Sequence, residues 1–316
     1  MKITDLKNDV KIVGELVSKE VRRNKVGTVD EQISMDLTVR VSPEEEHVVS
    51  FFAFKYGKNK DGNREINKDK LSKLFTGYET VDKEFKTMSD ENGDGTGELV
   101  DIKGSLAKNM YVGKDGELKE FVKIKGTFCS RVKDVAKYKP CAVWVAHMHI
   151  TKMDEEVVDK TGEYTKIMGM LANNYSEDEF EFRIYSSKTR TGFSKVFDKG
   201  DSAKLEGRIV NRPDEAVVVV EDEEDGWGED LEASADSGST IRRRYLEIVR
   251  GDTRPMDTDD EEHPLNEEKI KEYKKNITKR KSDVIARHEE KQKEEGNTKK
   301  LDPNKGVGAE DEEIPF

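Results

Sequence analysis

Cysteine is nearly absent: Cys129 and Cys141 are the only two in 316 residues, so no disulfide framework staples this chain. No apolar run approaches the length of about 18 residues that a membrane-spanning helix requires. Cys129, Cys141, His147 and His149 together offer four metal-ligating side chains, but no Cys-x-x-Cys spacing preorganises them, and no metal is expected. A Gly-Lys-Ser/Thr phosphate loop, a nucleophile elbow and a convergent acid–base set are also missing, which argues against an enzyme and gives no reason to expect a cofactor. The chain opens Met1-Lys2-Ile3-Thr4-Asp5, meeting charge where a secretory leader would turn apolar, and a cytoplasmic location follows as an expectation. Hydrophobic residues make up only 33% against 39% charged, so much of the chain lies outside any core.

The net charge of −12 is unevenly distributed. Residues 214–240 hold eleven acids and no bases, and residues 241–316 hold 20 acids and 18 bases. Residues 1–213 therefore keep 38 bases against 37 acids, a net +1. Segregation of this kind leaves the remainder free to carry basic patches.

Four segments alternate apolar and polar residues into a glycine: 10–16 around Gly14, 100–106 around Gly104, 122–128 around Gly126 and 203–209 around Gly207. Alternation marks strands, and a strand glycine marks a bend where a small barrel turns a corner. Gly126 follows Gly14 by 112 residues and Gly207 follows Gly104 by 103, which predicts a duplicated β-domain. The first copy reads as strands at 10–21, 32–41, 48–56, 99–112 and 119–125, with a helix near 68–77. The second reads as strands at 122–132, 142–152, 180–186, 203–211 and 241–249. Three strands, a helix and two strands is the order of an OB-fold barrel. The expected fold is mainly β: two tandem OB-like barrels, 1–121 and 122–252, with a polar acidic loop at 213–239 inserted in the second. Segment 121–132 is claimed by both copies, as one strand closing the first barrel and opening the second would be. A charged, partly helical and disordered tail at 253–316 follows, with a solvated helix at 264–296 that carries Ile270, Ile277 and Val284 seven apart.

That tail finishes on Glu310-Asp311-Glu312-Glu313-Ile314-Pro315-Phe316. Pro315 stiffens the segment, Phe316 offers a ring to an apolar slot, and the carboxylates suit a basic rim. The segment resembles the acidic tip of bacterial and phage single-stranded DNA-binding proteins, which ends Asp-Asp-Asp-Ile-Pro-Phe. Residues 197–209 resemble the run that enters that family's fourth strand, and 104–121, with Gly113-Lys114-Asp115-Gly116 at the turn, resemble the hairpin after it. The resemblance implies a non-enzymatic protein of a bacterial cell, or of the host cytoplasm if phage-encoded, that coats single strands. It also implies recruitment of replication, repair and recombination partners through Asp311, Glu312, Glu313, Ile314, Pro315 and Phe316. A strand-annealing mediator using Ile270, Ile277 and Val284 as an oligomeric surface, and a structural adaptor that binds no nucleic acid, are the alternatives.

Binding without sequence preference needs ring faces for stacking and a cationic track for phosphates. Candidate rings are Phe52, Phe54 and Tyr56, expected on one strand face, with Tyr138, Trp144 and Tyr185. Candidate cations are Arg22, Arg23 and Lys25; Lys55, Lys58, Lys60 and Arg64; Arg131, Lys133, Lys137 and Lys139; Arg183; Lys188, Arg190 and Lys195; and Arg242, Arg243 and Arg244. Asp90, Asn92, Asp94, Gly95 and Asp101 fall in calcium-loop register, but an Asp stands where that loop needs a bidentate Glu, so the segment reads as a flexible acidic turn.

Overall fold

Alternation becomes strand wherever only one face is covered. In β2 (Gln32–Ser42) the buried residues are Ile33, Met35, Leu37 and Val39, with Ser34, Asp36 and Thr38 between them at the surface. The computed structural model describes residues 2–58, 62, 64–66, 71–90, 95–113, 115–172, 177–213 and 242–298. β1 (Asn8–Asn24), β2, β3 (Glu45–Phe54), helix α1 (Lys73–Glu84), β4 (Leu99–Val112) and β5 (Leu118–Arg131) come first. β6 (Cys141–Asp159), β7 (Gly162–Ala172), β8 (Glu177–Ile184), α2 (Ser187–Ser194), β9 (Ser202–Pro213), β10 (Arg242–Gly251) and α3 (Glu267–Thr298) follow.

The pairing order β2-β3-β5-β4-β1 closes on itself through β1–β2, and β6-β7-β8-β10-β9 closes through β6–β9. In each ring one pairing is parallel, β3 with β5 and β8 with β10. These are two OB barrels, each with its helix between the third and fourth strands. Ser72 caps α1 by accepting the Phe75 N–H at 3.4 Å, and Phe75, Tyr78 and Val81 plug the first barrel. Ser186 caps α2 in the same way, and Phe193 enters the second barrel. The corner glycines Gly104 and Gly207 are equivalent: a Cβ would strike the Lys125 carbonyl on β5 at the first and the Glu247 carbonyl on β10 at the second.

The segment claimed by both copies is β5 alone, and the second barrel opens at β6 instead. Gly14 in β1 and Gly126 in β5 are therefore not equivalent positions. What joins the barrels is a ladder between β1 and β6, from Asn8↔Ala146 to Val13↔Cys141. Val10 and Trp144 pair with Gly104 and Gly207 in the β1–β4 and β6–β9 ladders of their own barrels, and they also pair with each other in the β1–β6 ladder. The two barrels thus meet through equivalent strands about a local two-fold axis. Away from that ladder, the buried Glu45 carboxylate of β3 accepts the Asn211 N–H and the Arg212 Nε–H of β9, both at 3.2 Å.

β7 escaped the sequence pattern because both its faces are covered. Its outward Met170 and Ala172 lie under Leu265, Ile270 and Tyr273 at the start of α3, together with Leu6. The first half of the tail helix is accordingly docked, contrary to the solvated helix expected, while residues 282–293 are mostly exposed, and Ile270 is consumed inside the chain. Further along, Arg280 meets Asp178 of β8 and Lys281 meets Glu120 of β5, each at 2.5 Å, so α3 ties one barrel to the other. The tip 310–316 and most of the acidic insert lie outside the described residues.

Candidate nucleic-acid interface

The most open aromatic and basic surface runs along the outward side of β5. Lys119, Phe121, Lys123 and Lys125 project from alternate positions, and beyond the bulge facing Gly104 the same side continues with Phe128. Phe121 is 44% exposed and meets Tyr111 of β4, 47% exposed, edge to face with centroids 6.0 Å apart. The parallel pairing with β3 sets Ser50 beside Lys125, which places Phe52, 45% exposed, next along the same face. Phe54 stands behind it at 5.0 Å, under the Arg64 guanidinium at 3.5 Å from its centroid. Lys119 pairs with Asp115 at 2.7 Å. Among the described residues no ion pair engages Lys123 or Lys125. Exposed rings alternating with uncommitted ammonium groups meet the requirements of sequence-tolerant binding to a single strand.

The expected site residues divide sharply against this surface. Phe52 and Phe54 lie on it, and Arg22 stands beside it across β2, since Arg22 faces Ser34 and Ser34 faces Phe52. Arg22 is ion-paired with Glu20. Tyr56 is buried and bridges to Leu71, a correction to its expected place with Phe52: the strand ends at Phe54 and the chain turns inward toward α1. Lys55 meets Glu31 at 2.9 Å over the Phe75 ring, and Arg23 holds Glu79 and Asp82 of α1, so both fasten the helix. Lys25 lies in the β1–β2 loop with φ 52°, 3.9 Å from Asp30.

Trp144 is a second correction. It is 1% exposed in the centre of barrel two, packed at 4.8 Å on Phe182, and its Nε1–H donates to the Arg208 carbonyl at 3.2 Å. Its ring fills the barrel opposite Gly207, which leaves no face for a base. Tyr185, measured from the parallel pairing, occupies the position of Phe52, yet it is half-buried between Tyr164 at 5.2 Å and Tyr245 at 5.1 Å. Burial pushes its phenol up to about 12, and it donates to Asp159 at 2.8 Å. Arg183 is held by Asp159 and Glu181 and caps the Tyr164 ring; Arg190 is held by Glu163. Lys188 and Lys195 are exposed on and just after α2. Arg131, Tyr138 and Lys139 come together in a separate groove of about 670 Å³ beside the connection from β5 to β6. There Arg131 is paired with Glu98 at 3.0 Å and lies over Phe85.

A family model described as YorF matches residues 7–297 of the chain, from β1 into the last turn of α3. The chain belongs to the YorF family. No curated protein sequence matches it. Among solved structures, the wild-type single-stranded DNA-binding protein from Thermus aquaticus is similar at 15% identity and TM-score 0.43, over 80% of this chain and 94% of that one. A deletion mutant of that protein gives 15% identity and TM-score 0.45, over 81% and 98%. A replication protein A heterotrimer bound to single-stranded DNA gives 12% and 0.19, over 64% and 45%. The YorF match takes in every strand of both barrels and leaves 310–316 outside it.

In this YorF-family chain the residues Tyr111, Phe121, Lys123, Lys125 and Phe128 are absent from the candidates that the sequence suggests. Their signal is nonetheless present: segment 119–128 places rings and lysines at alternate positions on the face opposite Ile124. Reading 121–132 as a strand shared by two barrels obscures it. No helix among the described residues is long and apolar enough to cross a membrane, and no group of metal-ligating side chains converges among them. The Asp90 carboxylate is occupied by the Thr87 N–H at 2.8 Å and hydroxyl at 2.7 Å, while Asn92 and Asp94 lie outside the described residues. His147 accepts the Lys7 N–H at 2.7 Å, and His149 shares a hydrogen bond with Ser202 at 3.1 Å.

Proposed function

We propose that this protein binds single-stranded DNA with little sequence preference, its principal surface being the outward β3–β5 face of the first barrel. The observation that carries the reading is the row of open rings and lysines: Phe52, Phe121, Lys123, Lys125 and Phe128. Stacking supplies affinity independent of base identity, and the lysines follow phosphates through counterion release. The second barrel contributes less, because Arg183 and Arg190 are neutralised at home and Tyr185 is clamped between two other rings. The protein acts without catalysis, in the cytoplasm, and Asp311, Glu312, Glu313, Ile314, Pro315 and Phe316 recruit replication, repair and recombination proteins.

Titration of a fluorescent homopolymeric single strand against matched duplex and RNA tests the binding claim. Preference for the single strand, with affinity falling as salt rises, supports it; equal affinity for duplex refutes it. Pull-down of replication proteins with wild-type and Phe316→Ala baits tests the tip, and identical partner lists refute that role.

A further inference from the structure

The groove at the β5–β6 connection lies at the far end of the same β5 row. Phe128, 59% exposed, stands at its mouth and faces Lys103 across the β4–β5 ladder. From Phe121 to Phe128 the strand advances on the order of 23 Å at about 3.3 Å per residue. A polynucleotide laid along the row therefore runs into the groove. Its outer wall is the connection itself, a single helical turn at Val135–Lys137 flanked by Lys133 and Lys139. Lys137 reaches Asp134 at 3.0 Å but is 86% exposed, and Lys103, Lys133 and Lys139 are engaged by no ion pair among the described residues. Tyr138 is half-buried in the same wall and lines the groove together with Phe128. The groove, where the barrels join, is lined by two exposed or half-exposed rings, Phe128 and Tyr138, and by four lysines besides Lys11, which is paired with Asp101.

We propose that this groove is a second single-strand subsite, which takes the sugar-phosphate backbone leaving the β5 row on Lys103, Lys133, Lys137 and Lys139 and one base against Phe128 and Tyr138. The subsite rests on the binding reading above and extends the occluded length past the first barrel, by a path over the inter-barrel connection. A phosphodiester fits better than a compact anion because the lysines come from both β4 and the 133–139 connection and two rings line the same groove.

The full-length chain carrying Lys133→Glu, Lys137→Glu and Lys139→Glu is titrated with homopolymers of graded length, beside wild type. The three side chains are exposed, so the fold stays intact, which circular dichroism checks. The expected result is unchanged affinity for the shortest strands that bind wild type and a shorter length at which affinity stops rising. The log-affinity slope against log salt shrinks by about 0.7 for each phosphate that is no longer neutralised. A plateau length and slope equal to wild type overturn the subsite while leaving the β3–β5 face standing. If wild type itself binds no single strand, the function reading fails and the subsite with it. Repetition in a chain ending before Glu310 covers the other source of anions: if the effect of the triple substitution vanishes there, the groove receives the acidic tip and the polynucleotide subsite is overturned.

Discussion

Phe52→Ala isolates stacking from folding. The ring is 45% exposed and its nearest aromatic neighbour, Phe54, keeps the Arg64 guanidinium over its own face. Truncation therefore opens no cavity, and surface substitutions of this kind shift stability by about 0.5 kcal/mol or less. A base stacked on the ring is a different matter, since each such interaction is worth ~1–3 kcal/mol on truncation. At about 1.4 kcal/mol per tenfold, affinity should fall ~5- to ~150-fold. The assay is fluorescence titration with a homopolymeric strand at fixed salt, paired with a thermal melt of the same preparation. Because alanine removes no charge, the salt slope should stay at the wild-type value while the line moves down. Wild-type affinity in a fully folded Phe52→Ala protein would refute the assignment of bases to the β3–β5 face. A changed slope would refute the claim that the ring acts by stacking.

Lys123→Glu with Lys125→Glu should do the converse, weakening every sequence alike and shrinking the salt slope by about 0.7 per phosphate released; an unchanged slope would remove these lysines from the phosphate path. Trp144→Ala should cost ~3–5 kcal/mol of stability, read as a lower denaturation midpoint, because it empties the second barrel; an intact melt with reduced DNA affinity would restore the ring to the interface. Burial holds His147 and His149 below the ordinary 6.5, so the unfolded chain takes up protons first as the medium acidifies. Their contribution is complete above about 6.5 and declines as pH falls toward the depressed folded values. Melting temperatures taken between neutral and mildly acid pH should drop, and less so in His147→Gln; a flat profile would contradict the burial of these rings.

Legibility in the sequence followed solvent. β2 and β8 each expose one face, so Ile33-x-Met35-x-Leu37 and Phe180-x-Phe182-x-Ile184 announce strands and their inward side together. β7 shows no alternation at Met170-Leu171-Ala172 because a helix from the far end of the chain covers the outward residues. No local signal carries that packing. Charge misled for a related reason. Arg23, Lys55, Arg183 and Arg190 are as basic in the sequence as Lys123 and Lys125, but Glu79, Glu31, Asp159 and Glu163 neutralise them from distant elements. Trp144 and Phe52 both belong to alternating strands, and only the closed barrel shows which ring faces in.

The β1–β6 ladder has the form of a dimer interface written inside one polypeptide. Two separate barrels meeting through the same pair of edges would hold together only above their dissociation constant. Here the connection between β5 and β6 makes the encounter intramolecular, at an effective concentration in the millimolar range for a short tether. Dilution therefore cannot part the barrels. Fusion also lets the two halves diverge, because a substitution on one side of the two-fold is no longer copied onto the other. That freedom is visible where Phe52 stands open on one barrel and Tyr185, at the matching position, is locked between two tyrosines.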